Sequence, residues 1–379
     1  MRRIKQNLYI SMPITGYDIN ERISRSNELK MKFLCKYENV VTPFDACHYD
    51  EKKSYGQCMR ECLEWLLKCD VIYFDEGWEK SKGCIVEKAV AKSCEIEMMY
   101  HTGYSFNTLE YKDKLVKHVS RHTGIDVNLD NPKTINEKLV YLNLYECNPN
   151  KTKCADKIKV HEYCKEKIGE DLCIPILKVY DKAEDVDLSN LPDKFVIKCN
   201  HGNAMNIIVT DKSKANIADI RSRLNKWMNW DFSTANVLEA QYHDIDRKIF
   251  VEKYMNDGHS TLHDYKLWCF NGDPKMYSIN DGNGHGDIMY YHMDGTEWNL
   301  YGVRQHPEYK RPRTFDKMVE IARKLSAEFS FVRVDFYEID GKVYLGEMTF
   351  TPGAFLFKYK NREDHNVIGD MLNVDLVNC

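Results

Sequence analysis

The sequence predicts two folded parts of different class: a parallel α/β domain over residues 1–103, then a larger region of hairpins and helices. Three observations predict this. At 379 residues the chain is too long for one ordinary core. Up to Met99, short apolar runs alternate with amphipathic helical stretches, the pattern of βαβ units on a parallel sheet. Further on, Asn271-Gly272 and Asp340-Gly341 separate alternating apolar runs, a strong hairpin signal.

Composition narrows the function classes. A net charge of −4 gives no bulk attraction to nucleic acid or an anionic membrane. The 43% apolar and 30% charged residues are ordinary for a globular protein. The 14 cysteines are scattered, with no C-x-x-C and no histidine at zinc-finger spacing from them. They read as free thiols in a reducing compartment. Cys58 and Cys62 fall one helical turn apart but lack further ligands. No apolar run approaches the roughly 20 residues that span a bilayer. The basic start MRRIKQNLYISMP has too short an apolar run for a secretion signal. The expected location is the cytoplasm.

In the first domain, Leu8–Ser11 is a strand that enters a Pro13/Gly16 loop before a helix over Ile19–Tyr37. Val40–Pro43 is the second strand, Tyr55–Lys68 an amphipathic helix, and Val71–Phe74 the third strand, ending at Asp75-Glu76-Gly77-Trp78. Ser81-Lys82-Gly83 opens the helix Cys84–Lys92, and Glu95–Met99 is the fourth strand. Ligands of such sheets lie at the C-terminal strand ends. Ser11, Gly16, Asp75, Trp78, Ser81 and Glu87 gather there.

The pieces YISMPITG, MRECLEWLLKCD and GWEKSKGCIVEKAVA resemble the nucleoside 2-deoxyribosyltransferase-like superfamily, which has a flavodoxin-like sheet. The resemblance implies a nucleoside site built from Tyr9, Ser11, Gly16, Asp75, Trp78 and Ser81. Glu87, six residues after Ser81, takes the place of the nucleophile that attacks the sugar C1′. One departure stands out: Cys62 occupies the position of an Asp that handles the proton on the departing base, and a thiol serves that role poorly. Catalysis at Glu87, binding without chemistry, and a carboxylate that only complements the helix dipole all stay open.

Residues 104–127 read as a helical connector. From Asn128, a turn leads into an amphipathic helix with Thr134 as N-cap and Glu137 completing a capping box. Ala155-Asp156-Lys157 is expected to begin a second helix, closed by Gly169. Ile174–Tyr180 is a strand. Phe195–Lys198 and Asn206–Val209 form a hairpin around CNHGNAM, whose loop at Gly202 could close over phosphates or be only a turn. Ile217–Trp227 is a helix. Strands follow at Lys248–Tyr254, Asp264–Phe270 and Lys275–Ile279. SINDGNGHGDI reads as a Gly-rich loop outside any dinucleotide motif. The helix Phe315–Glu328 precedes the hairpin Phe331–Gly353, and residues 362–379 form a short helical tail.

In that hairpin, Val332, Val334 and Phe336 alternate with Arg333, Asp335 and Tyr337. Arg333, Asp335, Glu347 and Thr349 are expected on one face. That set suits a hard cation held against nucleotide phosphates, and it equally suits a solvated strand face with an ion pair.

The ordered motifs NPKTINEKL, FVIK-x-NHG, VEKYM, DYK-x-x-CFNG, VRVDFY and GEMTFTPG resemble the ATP-grasp superfamily, and within it the TupA-like (teichuronopeptide biosynthesis) branch associated with cell-surface polysaccharide loci. The resemblance covers residues 128–361. It implies an α+β fold of two subdomains that clasp ATP, and an ATP- and Mg²⁺-dependent ligase joining a small-molecule carboxylate to an amine through an acyl phosphate. By position, Lys157 and Lys198 match the lysines that contact the nucleotide, with His201 and Gly202 on the phosphate loop. Glu252, Lys253, Tyr254 and Met255 match the hinge that reads adenine and ribose. Asp335 and Glu347 match the Mg²⁺ ligands, with Thr349 where many members carry Asn. Arg333 and Lys266 match cations on the transferring phosphoryl group. In the phosphate loop, Ala204 stands where a second small residue or glycine is common. Three functions follow as alternatives: a ligase whose N-terminal domain binds or processes a nucleoside, a glycosidase or deoxyribosyltransferase acting through Glu87, and a non-catalytic nucleotide-binding module.

Overall fold

The computed structural model describes residues 4–34, 37–47, 53–100, 109–146, 148, 150–234, 239–243, 245–257, 262–281, 288–302 and 309–374. The chain divides into two compact units, Met1–Ser105 and Phe106–Cys379.

In the first unit, β1 (Ile4–Ser11), α1 (Ile19–Leu34), β2 (Tyr37–Val41), α2 (Pro43–Cys47), α3 (Tyr55–Leu66), β3 (Val71–Phe74), α4 (Lys82–Ser93) and β4 (Glu97–Tyr100) follow one another. The strands pair in parallel in the order β2-β1-β3-β4, a doubly wound arrangement. Alternation along β1 and β3 feeds two cores. Leu8, Ile10, Val71 and Tyr73 pack on Leu29 and Phe33 of α1. Tyr9, Ile72 and Phe74 pack on Leu66, Cys84 and Ala91 of α3 and α4. Ser54 caps α3 in a capping box with Gln57. The short helix α2 was not expected, and the second strand begins at Tyr37, inside the span read as helix.

The second unit opens with α5 (Leu109–Thr123), the helix expected as a connector, whose Leu115 and Val119 are buried in a core shared with α6 (Ile135–Tyr145). Thr134 caps α6 and Glu137 closes the capping box. Then come α7 (Asn150–Ala155), α8 (Val160–Ile168) and β5 (Ile176–Tyr180). Lys157 therefore does not begin a helix: Asp156 takes the amides of Ile158 and Lys159 on its Oδ1, holding residues 156–159 in a turn between α7 and α8. Next are β6 (Phe195–Cys199), β7 (Asn206–Val209), α9 (Ile217–Met228) and β8 (Ile249–Lys253). They form a four-stranded antiparallel sheet in the order β5-β8-β6-β7.

A six-stranded sheet follows, in the order β12-β11-β10-β9-β13-β14. Its strands are β9 (His263–Phe270), β10 (Asp273–Asp281), β11 (Met289–His292), β12 (Glu297–Trp298), β13 (Phe331–Ile339) and β14 (Lys342–Thr349), with α10 (Phe315–Ser326) before β13 and α11 (Arg362–Asp370) at the end. Residues 278–281 belong to β10, so the Gly-rich loop does not begin at Ser278. Its stretch 282–287 lies outside the described residues. One face of this sheet buries Leu267, Val332, Val334, Phe336 and Leu345 against Met318, Ile321 and Leu325 of α10. The other face is apolar at one end, where Trp268, Phe270 and Phe331 meet α6, Phe355 and Ile368 of α11. Its remainder carries the polar cluster described below.

Candidate functional site

The hairpin β13–β14 turns at Asp340 (φ 52) and Gly341 (φ 70), two left-handed residues as a two-residue hairpin turn requires. Strict alternation would put Glu347 and Thr349 on the same face as Val343 and Leu345, in the core. The register shifts between Asp335 and Phe336, so that Phe336 faces Leu345 while Asp335 faces Glu347. Gly346 is the extra residue of this bulge, and a Cβ there would lie 2.9 Å from the Tyr337 ring. The bulge returns Met348 to the core and turns Glu347 and Thr349 to the polar face.

Lys266, Asp335 and Glu347 consequently form a row across β9, β13 and β14, with Trp268, Arg333 and Thr349 in the next row. The guanidinium of Arg333 donates from Nε and Nη2 to both Asp335 oxygens, each at 2.7 Å. Its Nη2 also donates to Glu347 Oε1 at 3.2 Å and to Thr349 Oγ1 at 3.1 Å. Lys266 Nζ donates to Asp335 Oδ2 and Asp264 Oδ2, both at 2.9 Å. Thr349 Oγ1 donates to Glu347 Oε1 at 2.9 Å. Burial works against ionisation of Glu347, but the charges of Lys157, Arg333 and Lys266 outweigh it and hold the carboxyl at about 2. The Asp335 carboxyl is shifted upward by its burial, against the opposing charges of Arg333 and Lys266.

The ligand-type groups that β13 and β14 bring to this cluster are oxygens: the Asp335 and Glu347 carboxylates and the Thr349 hydroxyl. That donor set fits Mg²⁺, and the constant ionisation of Glu347 suits a resident ligand. Asp335 and Glu347 are the stronger candidates. Thr349 is also engaged in orienting Glu347 and receiving Arg333.

Other predicted residues converge on this row. Lys157 Nζ lies 3.7 Å from Glu347 Oε2 and donates to the Gly202 carbonyl at 2.7 Å. It thereby ties the β6–β7 loop to the carboxylates. A Cβ at Gly202 would lie 2.7 Å from Phe232 Cγ, so any larger residue must displace the Phe232 ring. Ala204 in the same loop sits at φ 57, a left-handed conformation that favours glycine. Lys198 on β6 pairs with Glu252 on β8 at 2.5 Å. The Tyr337 hydroxyl is driven upward by Asp264 first, then by burial, Glu347, Glu252 and Asp335. Tyr254 and Met255 are half-buried just beyond β8, whereas Lys253 is exposed. His201 turns inward: its Nε2 lies 3.1 Å from the Trp227 carbonyl oxygen, and burial lowers its pKa to about 4. It supports the loop from behind.

Sequence reasoning missed Glu239. It is buried, accepts from Thr351 Oγ1 at 2.5 Å, and is pushed to about 7 chiefly by burial. Gln241 Nε2 also donates to Thr351 Oγ1, at 2.8 Å. No motif or spacing marks this trio.

In the first unit, Glu87 is buried on α4. Its Oε1 accepts from the Tyr9 hydroxyl at 2.8 Å and its Oε2 from Ser11 Oγ at 2.5 Å. Burial raises its pKa to about 7 against those two hydrogen bonds. Cys62, at the position of the missing Asp, is pushed to about 12 by burial, so its thiol keeps its proton. Asp75 is buried and gripped by Arg25, with Nη2 to Oδ1 at 3.0 Å and Nε to Oδ2 at 3.3 Å, a partner that no sequence spacing announces. Trp78 packs on Phe74 with the rings tilted by 48°, and Lys88 Nζ lies 4.1 Å from the Trp78 ring centroid. Ser81 caps α4, its Oγ accepting from the Cys84 amide at 3.4 Å. Gly16 lies in the exposed loop after β1. Tyr9, Ser11 and Glu87 are thus brought together. Asp75 and Ser81 are engaged elsewhere.

The sequence profile described as TupA-like ATP-grasp matches residues 137–373, well over half of the chain. The chain belongs to the TupA-like ATP-grasp family. The domain of unknown function DUF4406 matches residues 6–100, the first unit. No curated protein matches the chain. Among solved structures, this TupA-like protein is similar to D-alanine–D-alanine ligase from Bacillus anthracis complexed with ATP, at 13% identity, with 91% of this chain and 85% of that chain covered and a TM-score of 0.32. The D-alanine–D-alanine ligase of Helicobacter pylori matches at 12% identity, covering 98% and 100%, with a TM-score of 0.37. The ATP-grasp ligase PsnB, complexed with a phosphomimetic variant of a minimal precursor, Mg and ADP, matches at 9% identity, covering 97% of each chain, with a TM-score of 0.32. Among the described residues of this TupA-like chain, no helix is long and apolar enough to cross a membrane.

Proposed function

We propose that the second unit is an ATP- and Mg²⁺-dependent ligase that joins a carboxylate to an amine on a sugar, nucleotide or peptide acceptor, in chemistry of the cell-surface polysaccharide type. The row Lys266–Asp335–Glu347 with Arg333 behind it, in a chain of the TupA-like ATP-grasp family, carries this reading. In the reaction, a substrate carboxylate oxygen attacks the γ-phosphorus of ATP and ADP leaves. The amine nitrogen then attacks the acyl carbon, phosphate departs, and the nitrogen loses a proton. When bound, Mg²⁺ neutralises charge on the phosphates. Asp335 and Glu347 hold the metal, with Thr349 beside them. Arg333 and Lys266 are charged groups fixed in a buried site, where oriented cations favour a transferring phosphoryl group without reorganising. Lys157 and Lys198 take the nucleotide phosphates under the Gly202 loop, which His201 supports. The segment Glu252–Met255 takes adenine and ribose. ADP release with Mg²⁺ across a panel of carboxylates and amines tests this, with Asp335→Ala as control. Equal ATP hydrolysis by both proteins under every condition sinks the ligase reading.

A second reading puts chemistry at Glu87: N-glycoside cleavage or deoxyribosyl transfer, with the ligase part accessory. The carboxyl held by Tyr9 and Ser11 favours it. The protonated Cys62 thiol, which cannot act as the base-handling acid/base, opposes it. Release of free base from nucleosides, lost in Glu87→Ala, is the expected result if this reading holds. In either case the first unit takes a nucleoside or nucleotide, and the whole chain is expected in the cytoplasm.

A further inference from the structure

Outside the Asp335–Glu347 cluster of the second unit, α8 and the loop after it assemble four side chains of metal-ligand type. His161 and Cys164 are three residues apart on α8 and share a face. Gly169, at φ 91, ends the helix and turns the chain back. Asp171 and Cys173 follow two residues apart on the returning segment. The ligand atoms of His161, Asp171 and Cys173 all lie within 4.8 Å of one another. His161 Nδ1 is 2.9 Å from Asp171 Oδ2. The Cys164 thiol donates to the Glu170 carbonyl at 3.6 Å and lies close enough to Cys173 that each shifts the other's pKa. Both sulfurs belong to buried residues, while His161 and Asp171 form the rim, with side chains 13% and 28% exposed.

We propose that His161, Cys164, Asp171 and Cys173 form a structural zinc site. The donor set of two sulfurs, one imidazole nitrogen and one carboxylate oxygen is the mixed set that Zn²⁺ binds tetrahedrally, at about 2.3 Å to sulfur and about 2.0–2.2 Å to nitrogen and oxygen. A tetrahedron with those radii has edges of roughly 3.3–3.8 Å. The His161–Asp171 separation of 2.9 Å and the 4.8 Å bound on the three ligand atoms bracket that size, so side-chain adjustment of about 1 Å would be needed to close them on an ion. Four protein ligands leave no open position, which marks a structural site and not a catalytic one. Binding releases the two thiol protons to solvent. The bound cluster then carries one net negative charge, and Lys165 Nζ stands 3.6 Å from Asp171 Oδ2 to offset it.

The placement gives the ion a mechanical role. The amide of Leu345 donates to the Leu172 carbonyl at 2.9 Å, and Cys173 forms a β-bridge with Leu345. Leu345 lies on β14, two residues before Glu347. His161 lies one turn beyond Lys157. A zinc ion at these four residues braces the segment carrying Lys157 against the strand carrying Glu347. The site stands whether or not the ligase reading holds.

The test titrates the full-length protein, in metal-free buffer with a non-chelating reductant, with Co²⁺ and then Zn²⁺. One equivalent of Co²⁺ is expected to give an intense tetrahedral spectrum with a thiolate-to-cobalt charge-transfer band, which Zn²⁺ abolishes by displacement. Co²⁺ at Asp335 and Glu347 meets only oxygen donors and gives no such band, so the two sites are distinguished. Cys173→Ser is expected to weaken binding at least about tenfold, since even changes outside the ligand set cost that much, and to diminish the band. His161→Gln, on the rim and tolerant of folding, is expected to weaken binding while the thiolate band persists. Zn²⁺ raises the melting temperature of the wild type and not of Cys173→Ser. Absence of the band, or a band of unchanged strength and affinity in both variants, overturns the proposal.

Discussion

Replacing Glu87 by Gln keeps the shape of the buried carboxyl and removes its titration. The wild-type group has a folded pKa of about 7 against an ordinary 4.5, because burial disfavours the anion more than Tyr9 and Ser11 favour it. Between those values the folded protein binds a proton that the unfolded chain has lost. The stabilisation is therefore complete below about pH 4.5 and is lost as pH rises through about 7. The shift corresponds to roughly 3 kcal/mol in all. The assay is denaturant unfolding of wild type and Glu87→Gln across that range, followed by a probe in the first unit such as Trp78 fluorescence. The variant is expected to gain up to about 3 kcal/mol relative to wild type as pH rises, and then to hold level. Stability curves that stay parallel refute the buried, proton-holding carboxyl, and with it the poise on which the second functional reading depends.

Three further outcomes are expected. Gly202→Ala places a Cβ 2.7 Å from Phe232 Cγ; it should cost about 1–3 kcal/mol in chemical denaturation and weaken ATP binding by displacing the loop that Lys157 holds. Asn136→Ala removes donors to the Phe355 and Phe357 carbonyls and the partner of His365; leaving those buried groups unpaired should cost about 2–4 kcal/mol in the same measurement. Lys157→Met removes the leading charge that opposes burial at Glu347. Because that depressed carboxyl contributes stability above its ordinary 4.5 that is lost as pH falls toward about 2, the variant should acid-unfold at higher pH than wild type.

Local chemistry made much of this molecule legible. Alternation and Asp340-Gly341 located the hairpin, Thr134 and Glu137 located a helix start, and the first-unit strands follow from short apolar runs. The details of the site were less accessible. Gly346 inside a strand was the signal of the bulge, and strict alternation without it buries Glu347. Lys157 read as a helix start because its neighbours are good helix formers; the Asp156 side chain overrides them by capturing two backbone amides. The Arg25–Asp75 pair, the Glu239–Thr351–Gln241 trio and the His161–Cys173 cluster depend on tertiary folding that places their members side by side. The strands Met289–His292 and Glu297–Trp298 are short, and pairing in sequence, the first with β10 and the second with the first, stabilises them more than their own pattern does.

We propose that the β13–β14 hairpin floors a Mg·ATP site. Calorimetric titration of ATP into wild type and Asp335→Asn/Glu347→Gln, each with and without Mg²⁺, tests it directly. The wild type should bind ATP more tightly by about tenfold or more with Mg²⁺ present, a difference of about 1.4 kcal/mol or more, and the double variant should lose that dependence while remaining folded. ATP binding that is absent from the folded wild type, or equally Mg²⁺-dependent in both proteins, contradicts the account.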